Sequence, residues 1–271
     1  GANGQLGRAL GELLPDADGV DLPDFDVADP AAVASYPWSG VGTVINASAY
    51  TAVDAAETPE GRLACWRANV TGVGNIVRAA QQHRLRVVHV SSDYVFDGTA
   101  EVHTEDEAFS PLGVYGQTKA AGDALIAQLP QHYLVRTSWV IGEGHNFVRT
   151  MAGLAAKGVS PTVVDDQLGR LTFTTDLAAG IVHLLSSQAE FGTYNLTNPG
   201  PVASWCEIAQ EVFRLSGRDA ADVTGISTEA YEAGKLTSPR PRNSALELAK
   251  IAATGFQAEP WPQRLAAYLA G

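Results

Sequence analysis

Sulfur-containing residues are scarce in this sequence of 271 residues, which has two cysteines and one methionine. Cys65 and Cys206 lie far apart in stretches with helical periodicity, and their spacing is not that of a metal site. We therefore expect no metal, and we expect both thiols to be buried as small apolar side chains. This cysteine usage fits a reducing, cytoplasmic setting.

Basic residues and long apolar runs are also few. Lysine and arginine total 18 against 30 aspartates and glutamates, which gives a formal net charge of −12. This charge disfavours nucleic acid and anionic membrane surfaces as main partners, although a local cluster of donors could still bind a small anion. No run approaches the roughly 20 apolar residues that span a bilayer. The sequence therefore predicts neither a nucleic-acid nor a membrane partner.

Short apolar runs alternate with helix-period stretches over the first 140 residues or so, which predicts a parallel sheet covered by helices. A short helix is expected to begin at Pro30, with Asp29 as its N-cap. After about residue 140 the alternation weakens. The predicted strands are 41–45, 86–90, 133–137, 162–165 and 192–196, the longer helices are 64–82, 115–129 and 204–216, and the loops include 91–98 and the proline-broken 238–243.

This pattern predicts an α/β fold, a Rossmann-like doubly wound parallel sheet with a smaller C-terminal α/β substrate lobe. We expect the nucleotide-binding domain to comprise residues 1–141 and about 172–196, and the lobe to comprise about 142–171 and 197–271. Open α/β sheets bind ligands at the carboxyl ends of their strands, so the lobe is expected to pack over that edge.

Glycines at positions 1, 4 and 7 open the first helix-period stretch. Glycine lets the backbone turn tightly and approach a pyrophosphate at a helix N-terminus. Such a motif normally follows a strand, so we expect a first strand upstream of Gly1. Asp21 is placed to accept hydrogen bonds from an adenosine ribose and so to favour NADH over NADPH, a solvated loop acid being the alternative. Asp26 is a candidate acceptor for an adenine amino group.

Tyr115 and Lys119 carry the most specific signal in the sequence. Residues four apart on a helix share a face. An ammonium beside the phenol lowers a tyrosine pKa that is about 10 when free, so the hydroxyl can protonate a carbonyl oxygen while hydride reaches its carbon. An isolated Tyr-x-x-x-Lys is common on surface helices. The order of glycine loop, strand-end Ser92, Tyr115 and Lys119 nevertheless predicts a nicotinamide-dependent reductase.

Several other residues have plainer interpretations. Trp139 is either a core residue or an apolar wall for a sugar ring. His89 lies within a predicted strand, so a buried, hydrogen-bonded histidine is expected there. Asp165 and Asp166 are expected to be loop or cap residues rather than a cation site. A serine hydrolase is disfavoured because no Gly-x-Ser-x-Gly elbow occurs.

Five segments make the sequence resemble the dTDP-4-dehydrorhamnose reductase family of the extended short-chain dehydrogenase/reductase superfamily. They are NASAYTAVDAAE (46–57), SSDYVFDG (91–98), SPLGVYGQTK (110–119), RTSW (136–139) and VDDQLG (164–169). They spread over most of the chain in the expected order. One departure is Leu171, where relatives often carry proline, and we expect it to alter only a loop.

The resemblance implies catalytic and cofactor-binding roles. Tyr115 would be the proton donor, Lys119 its electrostatic partner, and Ser92 the second hydroxyl, where the family usually has threonine. The cofactor would be NADH or NADPH. Its implied ligands are Gly1, Gly4, Gln5, Leu6, Gly7, Asp21, Asp26, Val27, Ala49, Tyr50, Thr51, Tyr115 and Lys119.

The resemblance also implies a dTDP-sugar substrate. The sugar would contact Ser92, Asp93 and Trp139, with Arg240 and Arg242 as candidates for phosphate contacts. The implied reaction reduces the C4 ketone of dTDP-4-dehydro-L-rhamnose to give dTDP-L-rhamnose. The alternatives are a sugar-nucleotide epimerase or dehydratase, and a non-catalytic NAD(P)-binding regulatory subunit. The implied assemblies are a homodimer or a fusion behind an upstream sugar epimerase domain.

Overall fold

The computed structural model describes all 271 residues and contains a central parallel sheet with helices on both faces, which confirms the predicted fold class. None of the helices has the length and apolar character needed to cross a bilayer. The helices are α1 (Gln5–Leu13), α2 (Pro30–Ser35), α3 (Pro59–Trp66), α4 (Val73–His83), α5 (Val114–Ile126), α6 (Phe147–Ala156), α7 (Thr174–Ser186), α8 (Trp205–Leu215), α9 (Thr228–Glu232), α10 (Ala249–Ala253) and α11 (Trp261–Ala270).

The strands of the central sheet run in the order β1-β2-β3-β8, and every neighbouring pair is parallel. Asn46 pairs with His89, Ser92 with Thr137, and Arg136 with Asn195, so the carboxyl ends of all four strands meet at one edge. The strands are β1 (Thr43–Asn46), β2 (Arg86–Ser92), β3 (His132–Thr137), β4 (Val140–Ile141), β5 (Thr162–Val164), β6 (Leu168–Gly169), β7 (Thr172–Phe173), β8 (Gly192–Asn195), β9 (Ala203–Ser204) and β10 (Thr224–Ile226).

The two faces of the sheet are covered by different helices. Val87 and Val88 are adjacent on β2 and therefore point to opposite faces. Val87 packs in a cluster with residues of α4 and α5, such as Ile76 and Ile126, whereas Val88 packs with residues of α1 and α7, such as Leu10. Each face thus has its own apolar core, which is the doubly wound arrangement.

A third apolar cluster lies outside the central sheet. It joins α6, α8 and α11 through residues such as Met151, Phe213 and Leu265, all buried. Two short strand pairs accompany it, β5 with β10 and β6 with β9. Leu171, where relatives often carry proline, lies in the short connection between β6 and β7 and is fully buried in this cluster. The boundaries of the two domains stay a prediction.

The prediction of one helix over 64–82 was wrong in two respects. The helical segment begins at Pro59, where Thr58 caps it by accepting a hydrogen bond from the Gly61 amide. Between α3 and α4 it contains a π-helical turn, Arg67–Gly72. A π-helical turn holds more residues than an α-helical one, so it changes which residues face inward. Apolar periodicity alone did not reveal that change.

Other elements end within a few residues of their predicted bounds. Helix α5 ends at Ile126, before Pro130, and strand β2 extends to Ser92 in what was predicted to be a loop. Ser204 caps α8 in a reciprocal capping box with Glu207. Strand β1 has only β2 as a neighbour, and an apolar cleft of about 590 Å³ lies between β1 and α1. The strand expected ahead of Gly1 stays a prediction.

Candidate active site

The glycine loop packs directly against the end of β1. A Cβ atom on Gly1 would lie 2.6 Å from the Ala47 carbonyl carbon, and one on Gly7 would lie 2.1 Å from the Gly1 oxygen. Neither position can therefore carry a side chain without backbone movement. Gly4 is the N-cap of α1, and no side chain caps the first turn. The amides of Gln5, Leu6 and Gly7 therefore open onto a cradle that fits a pyrophosphate.

Asp21 lies beside this loop. Its carboxylate accepts hydrogen bonds from the Asn3 and Leu22 amides, both at 2.8 Å, and lies 3.6 Å from the Gly1 amine. Although partial burial opposes ionisation, these hydrogen bonds keep the pKa of Asp21 below its ordinary value. The carboxylate is therefore a fixed negative charge next to the glycine loop.

Asp26 and Val27 lie further along the same connection. The Asp26 carboxylate pairs with Arg67 at 2.6 Å and accepts from the Ala28 amide at 2.8 Å. The Val27 carbonyl accepts from Asn75, and its side chain packs against Gly72. Both residues are thereby fixed against the helical segment that follows β1. Their contacts with an adenosine stay a prediction.

The segment Ala49–Thr51 leaves the carboxyl end of β1 and is held by Asn69. The Asn69 side chain accepts from the Tyr50 amide at 2.8 Å and donates to the Tyr50 carbonyl at 3.2 Å. It also donates to the Thr118 hydroxyl at 3.0 Å, which in turn donates to the Tyr115 carbonyl. Asn69 stands in the π-helical turn and is almost fully buried. Sequence reasoning missed it, because Arg67 and Thr71 on either side make another polar residue there unremarkable.

Ser92 and Asp93 lie at the carboxyl end of β2. The Ser92 hydroxyl donates to the Asp93 carboxylate at 2.9 Å and accepts from the Tyr94 amide at 3.2 Å. Burial raises the pKa of Asp93 to about 6. Burial also raises the pKa of Tyr115, the Asp93 charge raises it further, and a hydrogen bond with Ser92 lowers it. The structure thus brings together Ser92, Asp93 and Tyr115, as three of the predicted site residues.

Lys119 follows Tyr115 by one turn of α5 and is almost fully buried. Its ammonium donates to the Val90 carbonyl at 2.8 Å. Burial lowers the pKa of Lys119 to about 8, with Asp123 and Cys65 acting in the opposite direction. The expectation that Lys119 lowers the pKa of Tyr115 was wrong for the resting protein, because burial and the Asp93 charge raise that pKa instead. The action of Lys119 on a Tyr115 phenolate stays a prediction.

We expect kcat/KM for the reduced cofactor to fall as the pH rises through about 8. Without ligand, Lys119 loses its positive charge at about this pH. The stabilisation of a Tyr115 phenolate by that charge is therefore present below about pH 8 and absent above it. Rates at limiting cofactor between about pH 6 and 10 measure the effect. Lys119→Arg should move the fall upward, because a guanidinium stays charged over this range. A profile that is flat through pH 8 in the unsubstituted protein would contradict this assignment.

Trp139 stands two residues beyond Thr137, the partner of Ser92 in the sheet, and is half-buried. It has a positive φ of 46° and stacks on Trp205, with ring centroids 3.8 Å apart. No sequence pattern indicated Trp205, because the two residues are far apart in the chain. Trp139 therefore joins the carboxyl edge of the sheet to the third apolar cluster.

Arg240 and Arg242 are both paired with carboxylates. The Arg240 guanidinium donates to both oxygens of Asp54, at 2.8 and 2.9 Å. Arg242 is mostly exposed and pairs with Asp166. The Asp54 contact brings Arg240 to the loop that follows β1, whereas the Asp166 contact brings Arg242 to the connection between β5 and β6. A phosphate contact stays a prediction for both.

The remaining candidates have structural roles. His89 is fully buried, and its Nδ1 lies 2.9 Å from the Asn46 amide nitrogen. Burial lowers the pKa of His89 well below its ordinary value, so the ring is neutral. Asp166 lies in the connection between β5 and β6, as expected of a loop residue, and accepts from the Thr228 amide. Cys65 and Cys206 are both buried and unpaired, as predicted.

Comparisons with known proteins identify the family of the chain. The family described as RmlD substrate binding domain matches residues 1–271. A dTDP-4-dehydrorhamnose reductase of Aggregatibacter actinomycetemcomitans is 35% identical, over 98% of this chain and 95% of its own length. A probable dTDP-4,6-dihydroxy-2-methyloxan-3-one 4-ketoreductase of Streptomyces antibioticus is 37% identical, over 94% and 88%. The crystal structure of a Bacillus anthracis dTDP-4-dehydrorhamnose reductase in complex with NADP is 32% identical, with a TM-score of 0.90 over 100% of this chain and 96% of its own.

Proposed function

The chain belongs to the RmlD substrate binding domain family, and from that premise we propose that it reduces the keto group of a dTDP-4-keto sugar with NAD(P)H. The specific reaction is reduction of dTDP-4-dehydro-L-rhamnose at C4 to give dTDP-L-rhamnose. One observation carries the proposal. The Tyr115 phenol on α5 lies beside Ser92 at the carboxyl end of β2, and Lys119 follows Tyr115 by one turn of α5.

The glycine cradle fits the pyrophosphate of a nicotinamide dinucleotide, because no side chain can occupy Gly1 or Gly7. When bound, the reduced nicotinamide supplies the hydride. The Ala49–Thr51 segment, fixed by Asn69, would line the nicotinamide half. Asp21 would hold the adenosine ribose.

Tyr115 supplies the proton in this mechanism. Its hydroxyl donates to the C4 oxygen as negative charge develops there, and its raised pKa keeps it protonated in the resting enzyme. Ser92 orients the keto oxygen beside the phenol. Lys119 balances the charge of the phenolate that remains. The protein thereby binds, orients and protonates the ketone.

Turnover of the keto sugar nucleotide with NADH and with NADPH tests the proposal. A reductase consumes one reduced cofactor for each ketone reduced, which the loss of nicotinamide absorbance measures. An epimerase or dehydratase would recycle a tightly bound cofactor and show no stoichiometric loss. Absence of turnover together with capture of a synthetase partner would indicate a regulatory subunit instead.

We expect NADH to be the preferred cofactor and Asp21→Asn to raise kcat/KM for NADPH by about tenfold. The Asp21 charge beside the glycine loop repels a ribose 2′-phosphate, and relief of about 1.4 kcal/mol corresponds to tenfold. Asparagine keeps an acceptor oxygen for the Asn3 amide. Asp24→Asn removes an exposed charge from the same loop and serves as the control. Equal gains in both variants would show a general charge effect and contradict this role of Asp21.

We propose that the lobe of about 142–171 and 197–271 binds the nucleotide part of the substrate, with Arg240 near the phosphates. The net charge of −12 supports a small-molecule substrate rather than nucleic acid. A cytoplasmic setting, a homodimer and an upstream fusion stay predictions.

A further inference from the structure

The indole of Trp139 is fixed by contacts on residues outside the central sheet. Its ring stacks on that of Trp205 at a centroid distance of 3.8 Å and an interplanar angle of 16°. A Cβ atom added to Gly169 would lie 2.9 Å from Cε2 and Cζ2 of the same indole. Phe147 packs on Trp205 with ring centroids 4.5 Å apart. Trp139 is thus held by an aromatic neighbour and by a glycine that makes room for it.

The backbone of Trp139 is in a conformation that bulky residues rarely adopt. Its φ of 46° lies in the left-handed region, which is uncommon for residues other than glycine. The Trp139 carbonyl accepts from the Thr172 amide at 3.1 Å, just before β4 pairs with β7. Such a conformation persists only when its surroundings hold it, and the stacked Trp205 is the largest side chain in those surroundings.

A short ladder brings Trp205 to this place. Strand β6 pairs antiparallel with β9, so that Gly169 lies opposite Ala203 and Leu168 opposite Ser204. Ser204 then caps α8, and Trp205 is the first residue of that helix. One ladder therefore delivers both contacts on the Trp139 ring.

We propose that Trp205 is a positioning residue for sugar recognition, acting through Trp139. It holds the indole at one angle beside the carboxyl edge that carries Ser92 and Tyr115. A flat, fixed apolar ring suits the apolar face and methyl group of a 6-deoxy sugar, which offer no hydrogen bonds. The proposal rests on the proposed function, because the ligand that it describes is the keto sugar of that reaction.

Substitution of Trp205 separates positioning from general stability. We expect Trp205→Ala to raise KM for the keto sugar nucleotide by about tenfold or more, while the dissociation constant of the reduced cofactor stays unchanged. Trp205→Phe keeps an aromatic face and should recover most of the loss. Phe213→Ala is the matched control, because Phe213 is fully buried on the same helix and in the same cluster.

A spectroscopic measurement tests the stack without any turnover. Two indoles stacked this closely couple their transitions, which gives a paired signal in circular dichroism. We expect Trp205→Phe and Trp139→Phe each to abolish that signal, and Phe213→Ala to retain it. If the signal follows this pattern while the protein turns over no keto sugar, the proposed function is wrong although the Trp139–Trp205 stack is present in solution.

Two results would overturn the positioning role. The first is that Trp205→Ala and Phe213→Ala lower the melting temperature equally and change KM equally. The second is that Trp205→Ala and Trp205→Phe, both correctly folded and both without the paired signal, keep the KM of the unsubstituted protein for the keto sugar nucleotide. A tenfold rise in KM confined to Trp205→Ala supports it.

Discussion

Replacing Tyr115 by phenylalanine is expected to lower turnover of the keto sugar nucleotide by at least about a hundredfold while leaving cofactor binding unchanged. General acid catalysis contributes about a hundredfold to ten-thousandfold, and the substitution removes only the hydroxyl that supplies the proton. The ring remains, so its edge-to-face contact with Tyr94, at a centroid distance of 5.4 Å, is preserved. Steady-state rates and titration of the reduced cofactor measure the two quantities.

Tyr133→Phe is the control for this substitution. Tyr133 is also buried, and its hydroxyl donates to the Ala189 carbonyl at 2.6 Å near the amino end of β3. The Tyr133→Phe variant therefore loses a phenol hydroxyl at the opposite end of the strands from Ser92. We expect its turnover to stay within about twofold of the unsubstituted protein. An unchanged rate in Tyr115→Phe would remove the central residue of the proposed mechanism.

Asp123→Asn is expected to have the largest effect on stability, lowering the free energy of unfolding by about 3–5 kcal/mol. Asp123 is fully buried and pairs with the buried Arg136 at 3.1 Å. Arg136 also lies over the rings of Phe96 and Phe109. With a neutral amide at position 123, the Arg136 guanidinium stays buried at low dielectric without a counter-charge. The resulting loss of folding free energy exceeds the stabilisation that the ion pair provided.

Urea titration and thermal unfolding measure this loss, which corresponds to a fall in melting temperature of roughly 10 °C. Glu211→Gln makes the same change of acid to amide in the pair with Arg214, whose side chain is 61% exposed. Exposed pairs contribute about 0–1 kcal/mol, so this control should hardly change. Equal losses of unfolding free energy in the two variants would show that burial does not increase the contribution of the Asp123–Arg136 pair to stability.

The sequence patterns that predicted the sheet are local ones. Apolar runs such as 86–90 mark buried strands, and the spacing of Tyr115 and Lys119 places both on one helix face, as the structure of α5 bears out. The prediction of a nicotinamide-dependent reductase combined such short intervals with the order of the glycine loop, Ser92, Tyr115 and Lys119 along the chain. These intervals depend on backbone geometry alone, which is why they were recoverable.

The features that were missed depend on residues distant in sequence. Arg240 and Asp54 are 186 positions apart, and no periodicity relates them. The stack of Trp139 on Trp205 depends on the β6–β9 ladder, whose strands have two residues each. Strands this short have too little pattern to be seen. Their pairing is determined by the packing of the whole third cluster.

The position of Asn69 depends on how many residues the π-helical turn contains, and not only on which residues they are. Each residue turns an α-helix by about 100°, so removing one residue from Arg67–Gly72 would rotate Asn69 away from the Tyr50 backbone. Asn69 itself could be retained, and the Ala49–Thr51 segment would still lose the hydrogen bonds that hold it. The position of the Ala49–Thr51 loop therefore depends on the number of residues in the π-helical turn. We expect this turn not to tolerate insertions and deletions that a surface loop would accept.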